Sequence, residues 1–132
     1  MKQKMRVLIA DNQARARQGM KALLGAWYQV DEFREAANGA DAVQLAKEFK
    51  PDLILMDGRM PKMNGLEATR LIKAGWPAIK IIVLSMYPEI KDEALLVGAD
   101  SFVSKSDSPE KLRETLIKVI GDREVNKEEK TV

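Results

Sequence analysis

The chain has no cysteine and no histidine among its 132 residues. The first absence excludes disulfides and thiolate nucleophiles, and the two together exclude zinc sites of the usual kind and imidazole acid–base catalysis. An excess of one charge is lacking too. Lysine and arginine number 22 against 20 acids, leaving +2, too balanced for nucleic-acid binding by charge alone, and there is no basic stripe. No apolar run approaches the roughly 20 residues that a membrane-spanning helix needs, so no membrane partner is expected. The Lys4-Met5-Arg6 start lacks the long apolar stretch of a secretory signal, and the cytoplasm is the expected location. What remains is the chemistry of carboxylate, hydroxyl, amine and backbone groups, with a hard cation that prefers oxygen ligands as the metal to consider.

Hydrophobic residues at 45% and charged residues at 32% suit an ordinary soluble protein, and the length suits one fold unit with a real core. That unit is expected over 1–121. Residues 122–132 carry seven charges in eleven positions and read as a charged tail or the start of a linker. The organising stretch is Lys50-Pro51-Asp52-Leu53-Ile54-Leu55-Met56-Asp57-Gly58-Arg59-Met60-Pro61. A short apolar run opened by proline and stopped by an acid and turn formers is the pattern of a strand buried on both faces. Asp57 then stands at the carboxyl end of a central strand, the edge at which open α/β sheets bind ligands.

Along the chain, Met5 to Ala10 reads as a first strand ending at Asp11 and Asn12. Ala16, Met20, Leu23, Leu24 and Trp27 then share one helical face. Val30 to Ala36 is a strand broken by charges, which an edge position tolerates best. Asn38 is placed to cap a helix whose Ala42, Leu45, Ala46 and Phe49 face one way until Lys50-Pro51 stops it. Gly58 to Gly65, with Pro61, reads as a loop. Ala68, Leu71 and Ile72 mark a third helix, closed by Gly75 and Pro77. Ile79 to Leu84 is a buried strand ending in Ser85. Pro88 opens a short helix with the poorest stripe, carrying Ile90, Ala94 and Val97 and stopped by Gly98. Asp100 to Val103 is a brief last strand before Ser104-Lys105. Ser108-Pro109-Glu110 launches a helix with Leu112, Leu116, Val119 and Ile120 on one face. Trp27 and Trp76 are expected at helix ends, Met56, Met60, Met63 and Met86 as adaptable filler flanking the crevice. The Lys47/Glu48/Lys50 and Lys111/Arg113/Glu114 groups read as solvated faces. Strand then helix, five times over, calls for a parallel sheet covered on both faces.

Four of those strands end in polar groups: Asp11 with Asn12, Asp57, Ser85, and Lys105. Parallel strands bring these ends to one edge. Oxygens, a hydroxyl and an ammonium around one mouth fit phosphoryl transfer onto a carboxylate, with a divalent cation offsetting the charge that builds up. Asp11, Asn12, Asp57 and a backbone carbonyl just after Asp57 would supply its oxygens, Lys105 a point charge and Ser85 a hydroxyl donor.

At these residues the chain resembles the receiver domain of two-component response regulators. The likeness runs over residues 5–121. It is carried by Val7-Leu8-Ile9-Ala10-Asp11, Leu55-Met56-Asp57 through Met60-Pro61, Met63-Asn64-Gly65-Leu66-Glu67, Leu84-Ser85 and Ala99-Asp100-Ser101-Phe102-Val103-Ser104-Lys105, in the family's order. The resemblance implies a flavodoxin/CheY-like (βα)5 doubly wound α/β sheet, in strand order 2-1-3-4-5. It makes Asp57 the phosphoryl acceptor, Asp11 and Asn12 the acidic-pocket positions, and Arg59 a metal ligand through its backbone carbonyl. Ser85 becomes the switch hydroxyl, Lys105 the phosphate-binding lysine and Phe102 the switch aromatic. It implies Mg²⁺ as cofactor, and a signalling module acting at most on its own phosphorylation and dephosphorylation. The phosphoryl donor is an external sensor histidine kinase. The Ile-Ala-Asp and Leu-Ser-Met segments are most similar to the NarL/LuxR class, which acts on DNA through a separate helix-turn-helix output domain, and the resemblance leaves room for a homodimer on phosphorylation.

Two positions depart from the pattern. Asn12 stands where the family usually has a second acid, so Mg²⁺ affinity should be reduced. Ser106 follows Lys105 where proline in a cis peptide is frequent. Other readings stay open. A haloacid-dehalogenase-type phosphohydrolase also uses a strand-end aspartate but wants an acid two residues on, where this chain has Arg59. A receiver that serves only as a docking surface is kept open by Asn12. Dinucleotide or flavin binding lacks a glycine-rich loop after the first strand.

Overall fold

The strand pattern is realised in the computed structural model, which describes residues 5–121; the charged stretch 122–132 lies outside them. Strands β1 (Met5–Ala10), β2 (Val30–Ala36), β3 (Leu53–Asp57), β4 (Lys80–Ser85) and β5 (Ser101–Ser104) alternate with helices α1 (Ala14–Trp27), α2 (Gly39–Phe49), α3 (Gly65–Gly75), α4 (Lys91–Leu96) and α5 (Pro109–Ile120). All pairings are parallel, in the order β2-β1-β3-β4-β5. The central β3 is buried at every residue, as an uninterrupted Leu-Ile-Leu-Met run requires, whereas β2 exposes Asp31, Glu32, Arg34 and Glu35 at the sheet's edge.

Two apolar layers sandwich the sheet. Val7, Ile9, Leu55 and Leu84 point toward α1 and α5 and pack with Leu24, Leu112 and Leu116, while Leu8, Ile54, Met56 and Val83 point the other way onto Ala46, Ile72 and Ala94 of α2, α3 and α4. Period-two alternation assigns each strand residue to one layer or the other.

Helices α2 and α3 start alike. Asn38 accepts the amide of Asp41 and Asn64 that of Glu67, each followed by glycine at the first helical position. Lys50 ends α2 at φ 52°, ahead of Pro51. Ser108 occupies the N-cap position of α5, but its side chain makes no capping bond. The region expected as a fourth helix is divided: Pro88–Ile90 is a 3₁₀ turn and only Lys91–Leu96 is α-helical, which is what a weak apolar stripe allows. Strands β4 and β5 each lie one residue further along than the apolar pattern suggested. Arg113 is half-buried, its guanidinium 5.6 Å from the Trp27 ring centre, and so departs from the solvated face expected of it. No described peptide bond is cis, that between Lys105 and Ser106 included.

Candidate functional site at the carboxyl edge of the sheet

The strand order reverses between β1 and β3, and outside that point the ladder runs on past the formal strand ends. Asp11 donates its backbone N–H to the Ala36 carbonyl (2.9 Å), Gly58 to Leu84 (2.9 Å) and Lys105 to Ser85 (2.8 Å). These bonds hold the residues next to the strand ends at one level. The side chains follow. Lys105 Nζ lies 2.7 Å from Asp11 Oδ2 and 3.4 Å from Asp57 Oδ2, so one ammonium spans the two carboxylates. Both acids are buried, at 6% and 8% exposure, and the lysine is half-buried.

Burial pushes the Asp57 carboxyl above its ordinary range; Lys105 opposes this, Asp11 adds to it, and the Arg59 backbone N–H, 3.3 Å from Asp57 Oδ1, opposes it weakly. Two acids and one lysine leave this corner net negative, and its donors are all oxygen. A hard dication suits that set, because Mg²⁺ characteristically binds through one or two carboxylates and completes its shell with other oxygens. Among the described residues no group of three or more His, Cys, Asp or Glu is arranged to hold a metal, so the remaining oxygens would come from Asn12, the Arg59 carbonyl and solvent. Inward from the mouth a cavity of about 280 Å³ runs between α1 and α5, lined by Met20, Leu23, Leu55 and Leu112. Among the described residues Met20 is the methionine on its wall: Met56 and Met60 are buried and Met63 is half-buried in the opposite layer, and Met86 is exposed.

The other sequence candidates fall around this triad. Asn12 is exposed beside Asp11. Ser85 is buried; its carbonyl accepts the Lys105 backbone N–H, and its Oγ is turned to accept the Tyr87 amide at 3.0 Å, with the O–H not used in that bond. Arg59 turns its guanidinium onto the Tyr87 ring, 4.1 Å from the centroid. Phe102 is half-buried against the α2–α3–α4 layer.

The family model for the response regulator receiver domain matches residues 7–117. The chain belongs to that family. Receiver domains are the phosphorylation-controlled switches of two-component signalling, and the fold and the strand-edge triad of this one accord with the match. The chain is 35% identical over 118 residues to the transcriptional regulatory protein LnrK of Bacillus subtilis, covering 88% of this chain and 52% of that protein. It is 36% identical over 123 residues to the response regulator VraR of Staphylococcus saprophyticus, covering 92% and 59%. The chain thus spans little more than half the length of these relatives. A DNA-binding response regulator of the LuxR family from Staphylococcus aureus superposes with a TM-score of 0.79 at 31% identity, over 86% of this receiver and 97% of that chain.

Sequence reasoning missed three supports of the site. The Gln13 amide donates to Asp11 Oδ1 at 2.9 Å, and Arg17 Nη1 donates to the Asp11 carbonyl at 2.6 Å. Gly65 lets the start of α3 lie against Asp57, where a Cβ would stand 1.9 Å from the Asp57 carbonyl oxygen. The repeated Asn-Gly pair, 38–39 and 64–65, was the available signal for that close approach. The two pairs meet through the loop, the Gly39 N–H donating to the Met63 carbonyl at 2.9 Å.

Proposed function

We propose that Asp57 of this receiver accepts a phosphoryl group from the phosphohistidine of a sensor histidine kinase. The observation that carries the reading is the Lys105 ammonium poised between two buried carboxylates. An Asp57 oxygen attacks phosphorus, the P–N bond to the imidazole breaks, and that nitrogen keeps the electron pair and takes a proton from solvent. Lys105 has its shorter contact to Asp11, so it can exchange Asp57 for a phosphoryl oxygen without leaving its partner. Asp11, Asp57 and the Arg59 carbonyl, with the Asn12 amide oxygen, would hold Mg²⁺, which supplies positive charge to the transferring group.

Ser85 uses a lone pair toward Tyr87, which leaves its O–H to donate to a phosphoryl oxygen once the side chain turns. That turn would vacate space for half-buried Phe102 to move inward and reshape the surface of α4, β5 and α5. The phosphoryl group acts only through its better fit to one of two states. In this reading the protein is cytoplasmic, forms a homodimer when phosphorylated, and acts on transcription through a DNA-binding output domain outside residues 1–121.

The test is incubation with Mg²⁺ and a small acyl phosphate, with Asp57→Asn as control. A single phosphoryl adduct that the variant lacks is expected. Steady turnover of varied phosphate esters would point to a phosphohydrolase, and no adduct at any Mg²⁺ concentration to a docking module.

A further inference from the structure

Arg17 stands near the start of α1, where the helix dipole disfavours a cation and no acid occupies the first turn. Its side chain is nonetheless only 17% exposed. The guanidinium is held by two bonds of different kinds: Nη1 donates to the Asp11 carbonyl at 2.6 Å, and Nε to Glu35 Oε1 at 2.8 Å. Glu35 also takes Lys21 Nζ at 3.1 Å, and the two cations hold its carboxyl below the usual range. Because Glu35 lies on the edge strand β2, Arg17 ties the turn after β1 to a neighbouring strand.

That turn needs an external tie. Helix α1 has no side-chain cap; Gln13 at its N-cap makes no such bond, and the Gln13 amide is taken instead by Asp11 Oδ1. Asp11 is thereby fixed at four points: its N–H on Ala36, its carbonyl under Arg17, Oδ1 on the Gln13 amide and Oδ2 on Lys105. Of these the Arg17 bond is the one that fixes the Asp11–Asn12 peptide plane, and that plane sets where the Gln13 amide stands to take the carboxylate's Oδ1.

We infer that Arg17, braced by Glu35, is a positioning residue for the dication site: it sets the Asp11 carboxylate for metal through the Asp11 carbonyl. This rests on the proposed phosphoacceptor reading. It carries a sign that simple electrostatics reverses. As a nearby positive charge, Arg17 would repel a dication, so its removal should tighten binding; as a positioning group, its removal should loosen it.

Mn²⁺ is titrated into the full chain, read as free ion by electron paramagnetic resonance, for the parent protein, Arg17→Ala, Arg17→Lys, Glu35→Ala and Lys21→Ala. Loss of a group that orients a metal ligand typically costs 10- to 100-fold in affinity, so Arg17→Ala is expected to weaken binding about tenfold. Arg17→Lys and Glu35→Ala should weaken it by less, and Lys21→Ala, whose ammonium reaches Glu35 and the Phe33 ring rather than Asp11, should stay within about twofold. In metal-free protein the Gln13 amide resonance should move in Arg17→Ala and not in Lys21→Ala. Unchanged or tighter binding in Arg17→Ala overturns the inference while leaving the phosphoacceptor reading intact. If Arg17→Ala does not fold, unchanged affinity in both Arg17→Lys and Glu35→Ala overturns it equally. A parent protein with no saturable Mn²⁺ binding overturns the metal reading and this inference together.

Discussion

Replacing Asp57 by asparagine should stabilise the phosphate-free protein. The residue is 8% exposed, and burial dominates the upward displacement of its carboxyl, with Asp11 adding to it. The fold therefore holds a charge that its surroundings only partly compensate. Asparagine removes the charge and keeps the shape, and Lys105 is not orphaned, because Asp11 at 2.7 Å is its nearer partner. Replacing an imperfectly paired buried charge under these conditions is worth about 1–3 kcal/mol at neutral pH, or several degrees in Tm for a domain of this size. The sign with pH follows from linkage. A folded-state value raised above the ordinary one means that the native state binds the proton more readily, so this penalty is full above the raised value. It disappears as pH falls through the interval down to the ordinary carboxylate range. Urea melts of both proteins at pH 7.5 and at pH 4 should thus show a gap that narrows on acidification. An asparagine variant no more stable than the parent at pH 7.5, or a gap that widens in acid, would refute the account of this carboxyl.

Lys105→Ala leaves Asp11 and Asp57 facing each other without a cation; an expected loss of about 2–3 kcal/mol, discounted for the half-exposed lysine, should appear in urea melts together with slower phosphoryl uptake, and unchanged stability would contradict the bridging role. Asn12→Asp adds a carboxylate beside the proposed dication site and should tighten Mg²⁺ binding by about tenfold or more; equal or weaker affinity by calorimetric titration would count against Asn12 as a ligand position. Gly65→Ala drives a Cβ to 1.9 Å from the Asp57 carbonyl oxygen, backbone that cannot step aside, and should cost about 2–3 kcal/mol. Gly19→Ala, with nothing within 4 Å in the middle of α1, should instead gain up to about 1 kcal/mol, so equal effects of the two in denaturant melts would overturn the packing argument.

The strands were largely legible because their signal is local. Met5–Ala10 and Val30–Ala36 follow from apolar run and charge interruption with no boundary error, and the edge position of β2 from its four exposed charges. The strand-end rule likewise anticipated the meeting of Asp11, Asp57 and Lys105, since parallel strands leave little choice about where their ends go. It could not orient side chains. Ser85 is at the predicted edge, yet its hydroxyl faces the Tyr87 amide, a bond between near neighbours that no pattern announces. Arg17 was invisible for a related reason: an arginine on a helix reads as a solvated face, and only the tertiary structure shows it reaching back to the Asp11 carbonyl and across to Glu35. The weak fourth helix was flagged by its poor stripe and came out short.

The three charged groups at the mouth come from the ends of β1, β3 and β5, and Lys105 is the last of them in the chain. As the polypeptide leaves the ribosome, Asp11 and Asp57 are both made well before their counter-ion Lys105. A chain halted before its fifth strand has docked would lack the ammonium that spans the two carboxylates. On the proposed phosphoacceptor reading, competence to accept a phosphoryl group would therefore be tied to completion of the sheet.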